Sequence, residues 1–125
     1  ARAHFKAVLD AAESGVSVTI RRERAQTSVV DADRLRATLC LLVNPDTQVF
    51  DEQGQWGAYL PAVPSVSATG STFDEVVDDL VDACREYAAD WNDHLRLIPN
   101  HADSWGFVQV VTLCDDAQLR DWLTA

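Results

Sequence analysis

Gly70-Ser71-Thr72-Phe73-Asp74-Glu75-Val76-Val77-Asp78-Asp79-Leu80-Val81-Asp82-Ala83-Cys84-Arg85-Glu86-Tyr87-Ala88-Ala89-Asp90-Trp91-Asn92-Asp93-His94-Leu95-Arg96-Leu97 reads as one long amphipathic helix with its start signal attached. Thr72, Phe73, Asp74 and Glu75 spell a capping box: the Thr72 hydroxyl can accept from one free backbone N–H while Glu75 reaches back to another. The helix is therefore expected to begin near Phe73. From there Phe73, Val77, Leu80, Val81, Cys84, Tyr87, Ala88, Trp91 and Leu95 recur at three-and-four spacing and share one face, which needs a sheet or helix over it. On the other face Asp74, Asp78, Asp82, Glu86 and Asp90 form an unbroken i, i+4 ridge, flanked by Glu75, Asp79 and Asp93, with Arg85 and Arg96 to offset it. Each like-charged pair at that spacing costs about a few tenths of a kcal/mol. The ridge reads either as a merely solvated helix face or, since such a face is ordinarily of mixed sign, as a surface for a basic partner.

A sequence of 125 residues with 47% hydrophobic composition can bury one moderate core or two small ones sharing a wall. No run approaches a membrane span and no signal-peptide pattern opens the sequence, so a soluble cytoplasmic protein is expected. Methionine is absent even at position 1, which implies that the true start lies upstream. The net charge of −10 is divided unevenly. Residues 1–43 carry seven basic and five acidic groups, net +2, and residues 44–125 carry three basic and fifteen acidic, net −12. Such a split suits an anionic partner at the front and a cationic one behind. Cys40, Cys84 and Cys114 are odd in number, far apart and set among apolar neighbours, without zinc or CxxC spacing; they read as small buried hydrophobes in a reducing compartment.

Ala1 to Ser14 is expected to be a helix with Phe5, Val8, Leu9 and Ala12 on one stripe and Gly15 as its stop. Val16, Val18 and Ile20 then alternate with Ser17, Thr19 and Arg21, a strand with one buried face. Glu23 to Gln26 turns, Thr27 to Val30 returns, and Asp31 caps a helix running to about Val43, with Leu35, Leu39 and Leu42 inward and Asn44-Pro45 as its end. Beyond Pro45 the pattern favours short strands at Thr47 to Phe50 and Trp56 to Leu60 around a Gln53-Gly54 turn, then Ser65 to Ala68. After the long helix, a loop at Pro99 to His101 leads to an expected final strand over Trp105 to Leu113. Asp115 with Gln118 caps a last short helix burying Leu119, Trp122 and Leu123. The expected fold is α+β: a helix–hairpin–helix module over 1–43, then a β-β-β-α-β layer with a short helix over 44–125.

The runs Ala1-Arg2-Ala3-His4-Phe5-Lys6-Ala7-Val8-Leu9, Gly15-Val16-Ser17-Val18-Thr19-Ile20-Arg21-Arg22 and Val29-Val30-Asp31-Ala32-Asp33-Arg34-Leu35 resemble the Phd/YefM (prevent-host-death) antitoxins. That family's opening strand is absent here, and Glu23-Arg24-Ala25-Gln26 stands where its hairpin usually carries glycine. The stretch from Gly57-Ala58-Tyr59-Leu60-Pro61-Ala62-Val63-Pro64 to Gly70-Ser71-Thr72-Phe73-Asp74-Glu75-Val76 resembles the HicB antitoxin core, with Ser65 where that family often has glycine. Together the two resemblances imply a composite antitoxin, similar to the Phd-like antitoxins found beside RelE-type toxins. They imply a homodimer that binds operator DNA through its front and autoregulates its operon, while its acidic back neutralises a small basic toxin. An arginine ahead of the first helix's stripe and one after the strand's Thr-Ile contact DNA in the Phd/YefM family, matching Arg2 and Arg21; Arg22 joins them by placement at the strand end. The expected toxin-facing residues are Asp74, Asp78, Asp82, Glu86 and Asp90, with Trp122 in the last helix.

Three histidines, His4, His94 and His101, raise a metal-hydrolase alternative, since Asp90 and His94 share a helix face and His101 could fold back. Neither a third ligand nor an open position is evident, and no nucleophile motif, P-loop or GxGxxG occurs. No enzyme activity, cofactor or metal is therefore expected. An interaction module that binds one protein and no DNA is the other alternative; a pull-down of a small basic partner separates both binding readings from the hydrolase.

Overall fold

The computed structural model describes residues 2–125, with side chains from His4 onward. In sequence order the elements are α1 (Arg2–Glu13), β1 (Val18–Arg22), β2 (Ala25–Val29), α2 (Ala32–Leu42), β3 (Gln48–Glu52), β4 (Gln55–Tyr59), β5 (Ser67–Gly70) and α3 (Phe73–Asp93). Two 3-10 turns (Leu95–Leu97, Pro99–Ser104), α4 (Trp105–Leu113) and α5 (Asp116–Thr124) follow. The class is α+β, with a two-stranded antiparallel sheet and a separate three-stranded one ordered β3-β4-β5. The protein forms two compact units, divided within α2 between Thr38 and Leu39.

In the first unit α1 ends at Gly15, whose φ of +99° suits a residue without Cβ, and Val16 N–H closes the turn on Ala11 O at 2.9 Å. The β1–β2 hairpin turns in two residues, Glu23 and Arg24, with Arg22 opposite Ala25 and Glu23 taking a φ of +52°. Asp31 caps α2 as expected, its Oδ2 accepting from Arg34 N–H at 3.0 Å. The buried strand face does not materialise within this unit. Val16 is 59% and Ile20 49% exposed, and among the unit's described hydrophobics Ala12 alone is buried.

The second unit holds the core. α3 lies across the three-stranded sheet with Val76, Val77, Leu80, Val81, Cys84, Tyr87, Ala88 and Trp91 buried, and α4 and α5 close the other side. Pleating puts Val49, Ala58, Leu60 and Ala68 toward the core. The Gln53-Gly54 turn joins β3 to β4 with φ of +55° and +84°. Gly70 ends β5 so close to the first turn of α3 that a Cβ there would meet the Val76 nitrogen at 2.6 Å. Thr72 Oγ1 accepts from Glu75 N–H at 3.1 Å, whereas Glu75 Oε2 reaches one residue further back than the box predicts, to Ser71 N–H at 2.8 Å.

Several expectations need correction. The stretch Trp105–Leu113, read as a strand, is the helix α4. Phe107, Val108, Val110 and Val111, with Cys114 beyond, follow the i, i+3, i+4 rule of a helix buried on more than one side, and β-branched content misleads there. α3 stops at Asp93 rather than Leu97: His94 leaves helical geometry at φ −148° and the backbone tightens into 3-10 turns. Leu42 is 75% exposed; Val43, just past the end of α2, packs on the core instead. Phe73 is 42% exposed and stacks edge-on against Trp56. The third strand begins at Ser67, two residues late, because the backbone turns through Pro61–Val66 first, with Val66 N–H bonded to Val63 O at 2.9 Å.

Candidate functional site

The acidic ridge lies on the exposed side of α3, where the sheet and α4 do not reach; Asp74, Asp78, Asp82, Glu86 and Asp90 are all exposed. Its two halves differ. Arg120, on α5, spreads its guanidinium across the first half, with Nη2 donating to Asp74 Oδ1 at 2.7 Å and Nη1 donating to Asp78 Oδ1. The carboxylates of Asp82, Glu86 and Asp90 have no ion-pair or hydrogen-bond partner among the described residues. Flanking carboxylates are also in use: Glu75 caps Ser71, and Asp79 Oδ2 accepts from Thr69 N–H at 3.0 Å. The free part of the ridge is thus its Asp82–Glu86–Asp90 half.

Neither cation expected to offset the ridge does so. Arg85 turns to the C-terminal end of α4, donating to Val111 O, to Cys114 O at 2.9 Å and to Asp116 Oδ1 at 2.8 Å. Those carbonyls are the unpaired acceptors that any helix end carries, so the Arg85 guanidinium caps the C-terminus of α4. Arg96 Nε donates to Asn92 O at 3.2 Å. Sequence reasoning misses Arg120 because the pairing crosses 42 and 46 residues; the one local signal is that Arg120 sits on the exposed side of a helix whose Leu119 and Leu123 face α3.

Trp122 is buried, 8% exposed, donating from Nε1 to Val43 O at 3.1 Å and packing on Phe107. Its rim lines a groove of about 560 Å³ with Val43, Thr47, Val49, Phe73 and Leu123. Thr47 Oγ1 is buried there without a hydrogen-bond partner. At the front, Arg21 and Arg22 are exposed at the turn end of β1, opposite Gln26 and Ala25, and neighbouring strand residues face opposite sides. The Arg2 side chain lies outside the described residues.

Asp90, His94 and His101 do not converge. His94 Nδ1 sits 3.2 Å from Asp93 Oδ2, while His101 Nδ1 shares a hydrogen bond with the Tyr87 hydroxyl at 2.8 Å and its carbonyl accepts from Trp91 Nε1. Among the described residues no group of three or more His, Cys, Asp or Glu could hold a metal ion, and no helix is long and apolar enough to cross a membrane. Burial pushes the Cys84 thiol up from 9.0 to about 12, against a smaller downward pull from Arg85. A neutral, enclosed thiol of this kind is a packing group rather than a nucleophile.

No protein-family model and no curated protein matches this sequence. Among solved structures it is similar to the 1.80 Å crystal structure of the antitoxin part of a candidate toxin/antitoxin system from Syntrophomonas wolfei subsp. wolfei. The TM-score is 0.82 at 17% identity, over 97% of this protein and 89% of that one. At that identity the likeness is one of fold.

Proposed function

We propose that this protein is a cytoplasmic antitoxin that neutralises a small basic toxin by direct binding and represses its own operon as a DNA-bound dimer. The observation that carries the reading is the fold shared along nearly the whole length with an antitoxin. Charge division supports the assignment of roles. The second unit, net −12, engages its three arginines internally and leaves Asp82, Glu86 and Asp90 to a cationic partner. Opposite charge of this density steers encounter and excludes acidic competitors.

The first unit, net +2, leaves Phe5, Leu9, Val16, Ile20 and Val30 exposed. So small a segment does not bury enough apolar surface to stand without a partner for that face. A second copy of the unit supplies it, and the dimer presents two sets of Arg2 and Arg21 to DNA phosphates, which supply affinity and register, while Arg22 lies on the Ile20 side of the strand. The test is co-expression with the open reading frame adjacent to this gene. Copurification of a small basic protein, with relief of the growth arrest that protein causes alone, is the expected result. An adjacent product that neither arrests growth nor binds this protein overturns the reading.

A further inference from the structure

The two edges of the three-stranded sheet are treated differently. Along β4, Gln55, Gly57 and Tyr59 pair toward β3, while Trp56 and Ala58 pair toward β5, given the register and the two-residue turn. The outward backbone groups are therefore those of Ser67 and Thr69 on β5 and of Val49 and Asp51 on β3. On β5 side chains of α3 close the end of this edge beyond Ser67: Asp79 takes the Thr69 N–H, and Glu75 takes the Ser71 N–H just beyond. Proteins commonly block strand edges in this way against unwanted pairing. On β3 the backbones of Val49 and Asp51 make no hydrogen bond outside the ladder among the described residues.

The open edge also has a groove beside it. The 560 Å³ cleft contains Val49 and Thr47 from the β3 side and Phe73, Trp122 and Leu123 opposite, and it holds the unpartnered Thr47 Oγ1. Charge along this edge is of one sign. Asp46, Asp51 and Glu52 lie within seven positions of one another, without a basic residue between Val43 and Phe73.

We propose that β3 is a docking edge: an extended, Lys/Arg-bearing segment of the partner protein adds to it as a fourth strand. Its backbone bonds to Val49 and Asp51, its basic side chains meet Asp46 and Glu52, and an alternate side chain enters the groove beside Trp122. Strand addition divides the work this way, with main-chain bonds giving affinity and pockets for alternate side chains giving choice. The inference rests on the antitoxin reading only for who the partner is; the edge, the groove and the charge stand without it.

The experiment uses the full-length protein and a synthetic peptide alternating Lys with Val, with a Glu/Val peptide as its counterpart. Amide exchange is followed by NMR. Val49 and Asp51 amides should exchange fast in the free protein and slow by about tenfold or more with the Lys/Val peptide, as paired edge amides do. The Glu/Val peptide should leave them unchanged. Val49→Pro removes an outward donor without touching the β3–β4 ladder and should abolish the protection, while Glu52→Lys, on an exposed side chain, should weaken the Lys/Val effect and leave thermal unfolding intact. Protection appearing instead on α3, or produced equally by both peptides, overturns the proposal. So does protection already present without peptide, since that assigns the edge to a second copy. None of these outcomes depends on whether the partner is a toxin.

Discussion

At the residue scale, Arg120 changes what the ridge charges do. Five carboxylates in a row predict that neutralising any of them relieves repulsion. With Asp74 and Asp78 held by one guanidinium, that holds only beyond Asp78. Asp82→Asn should stabilise the free protein by about a few tenths of a kcal/mol, whereas Asp78→Asn should be neutral or slightly destabilising because it removes one arm of the fork. Arg120→Ala should cost about 0.5–1 kcal/mol, the range of an exposed pair with good geometry, and the loss should shrink in high salt. Urea titrations of the three variants at two salt concentrations check these signs; stabilisation by Asp78→Asn equal to that of Asp82→Asn would show the fork is not formed. Cys84 gives a pH prediction. Its folded pKa is raised, so its contribution to stability is whole below 9.0 and is lost as pH climbs toward about 12, where the unfolded thiol ionises and the folded one does not. The slope from this group is about 1.4 kcal/mol per pH unit in that window. Cys84→Ala should flatten the alkaline fall of a pH–denaturation series by that amount, and a wild-type slope identical to the variant's would contradict the burial effect.

Elements are legible in the sequence where a local rule decides them. The Thr72 and Asp115 caps, the Gly54 turn and the α3 stripe depend on near neighbours in sequence, and each is found where the pattern puts it, the stripe from Val77 to Trp91. α4 misleads because Val-rich runs suit a strand and a buried helix alike, and what arbitrates is tertiary: α4 packs on α3, and its last carbonyls are collected by Arg85, 26 and 29 residues away. That contact makes Arg85 the link between two helices, so Arg85→Ala should fray α4 from its C-terminal end. We expect a loss of about 1–2 kcal/mol, less than a fully buried charged hydrogen bond because the side chain is one-third exposed. Hydrogen exchange gives the sharper readout. Amides of Thr112, Leu113 and Cys114 should open before those of α3, and uniform loosening of all helices would contradict the capping role. The candidate ridge is legible for the same local reason that α3 is, while its division into a paired and a free half is not, since Arg120 reaches it only through the packing of α5.

For the whole molecule, the sequence carries the charge contrast between the two units, but which apolar groups remain uncovered becomes visible only in the fold. Phe5, Leu9, Val16, Ile20 and Val30 stay exposed in a unit with one buried hydrophobic among its described residues. If a second copy covers them, sedimentation equilibrium should give a dimer, and Ile20→Asp should yield a monomer whose first unit melts early; a wild-type monomer at every concentration would end the dimer proposal. Partner association tests the acidic unit separately. Long-range attraction acts on the encounter rate, and screening removes it over about a Debye length, roughly 8–10 Å near physiological salt. The Asp82→Asn/Glu86→Gln pair neutralises two of the three free ridge carboxylates and leaves the Arg120 fork intact. Against the copurified partner this variant should associate about three- to tenfold more slowly at low salt, with the gap closing as salt rises and the off-rate nearly unchanged, because charges at a rim steer more than they hold. Asp74→Asn/Asp78→Asn, whose two charges are half offset by the single Arg120 guanidinium, should slow association less. Equal effects from the two pairs would mean that net charge alone matters and that the free half of the ridge has no special part in docking; an unchanged on-rate in both would place the contact elsewhere on the protein.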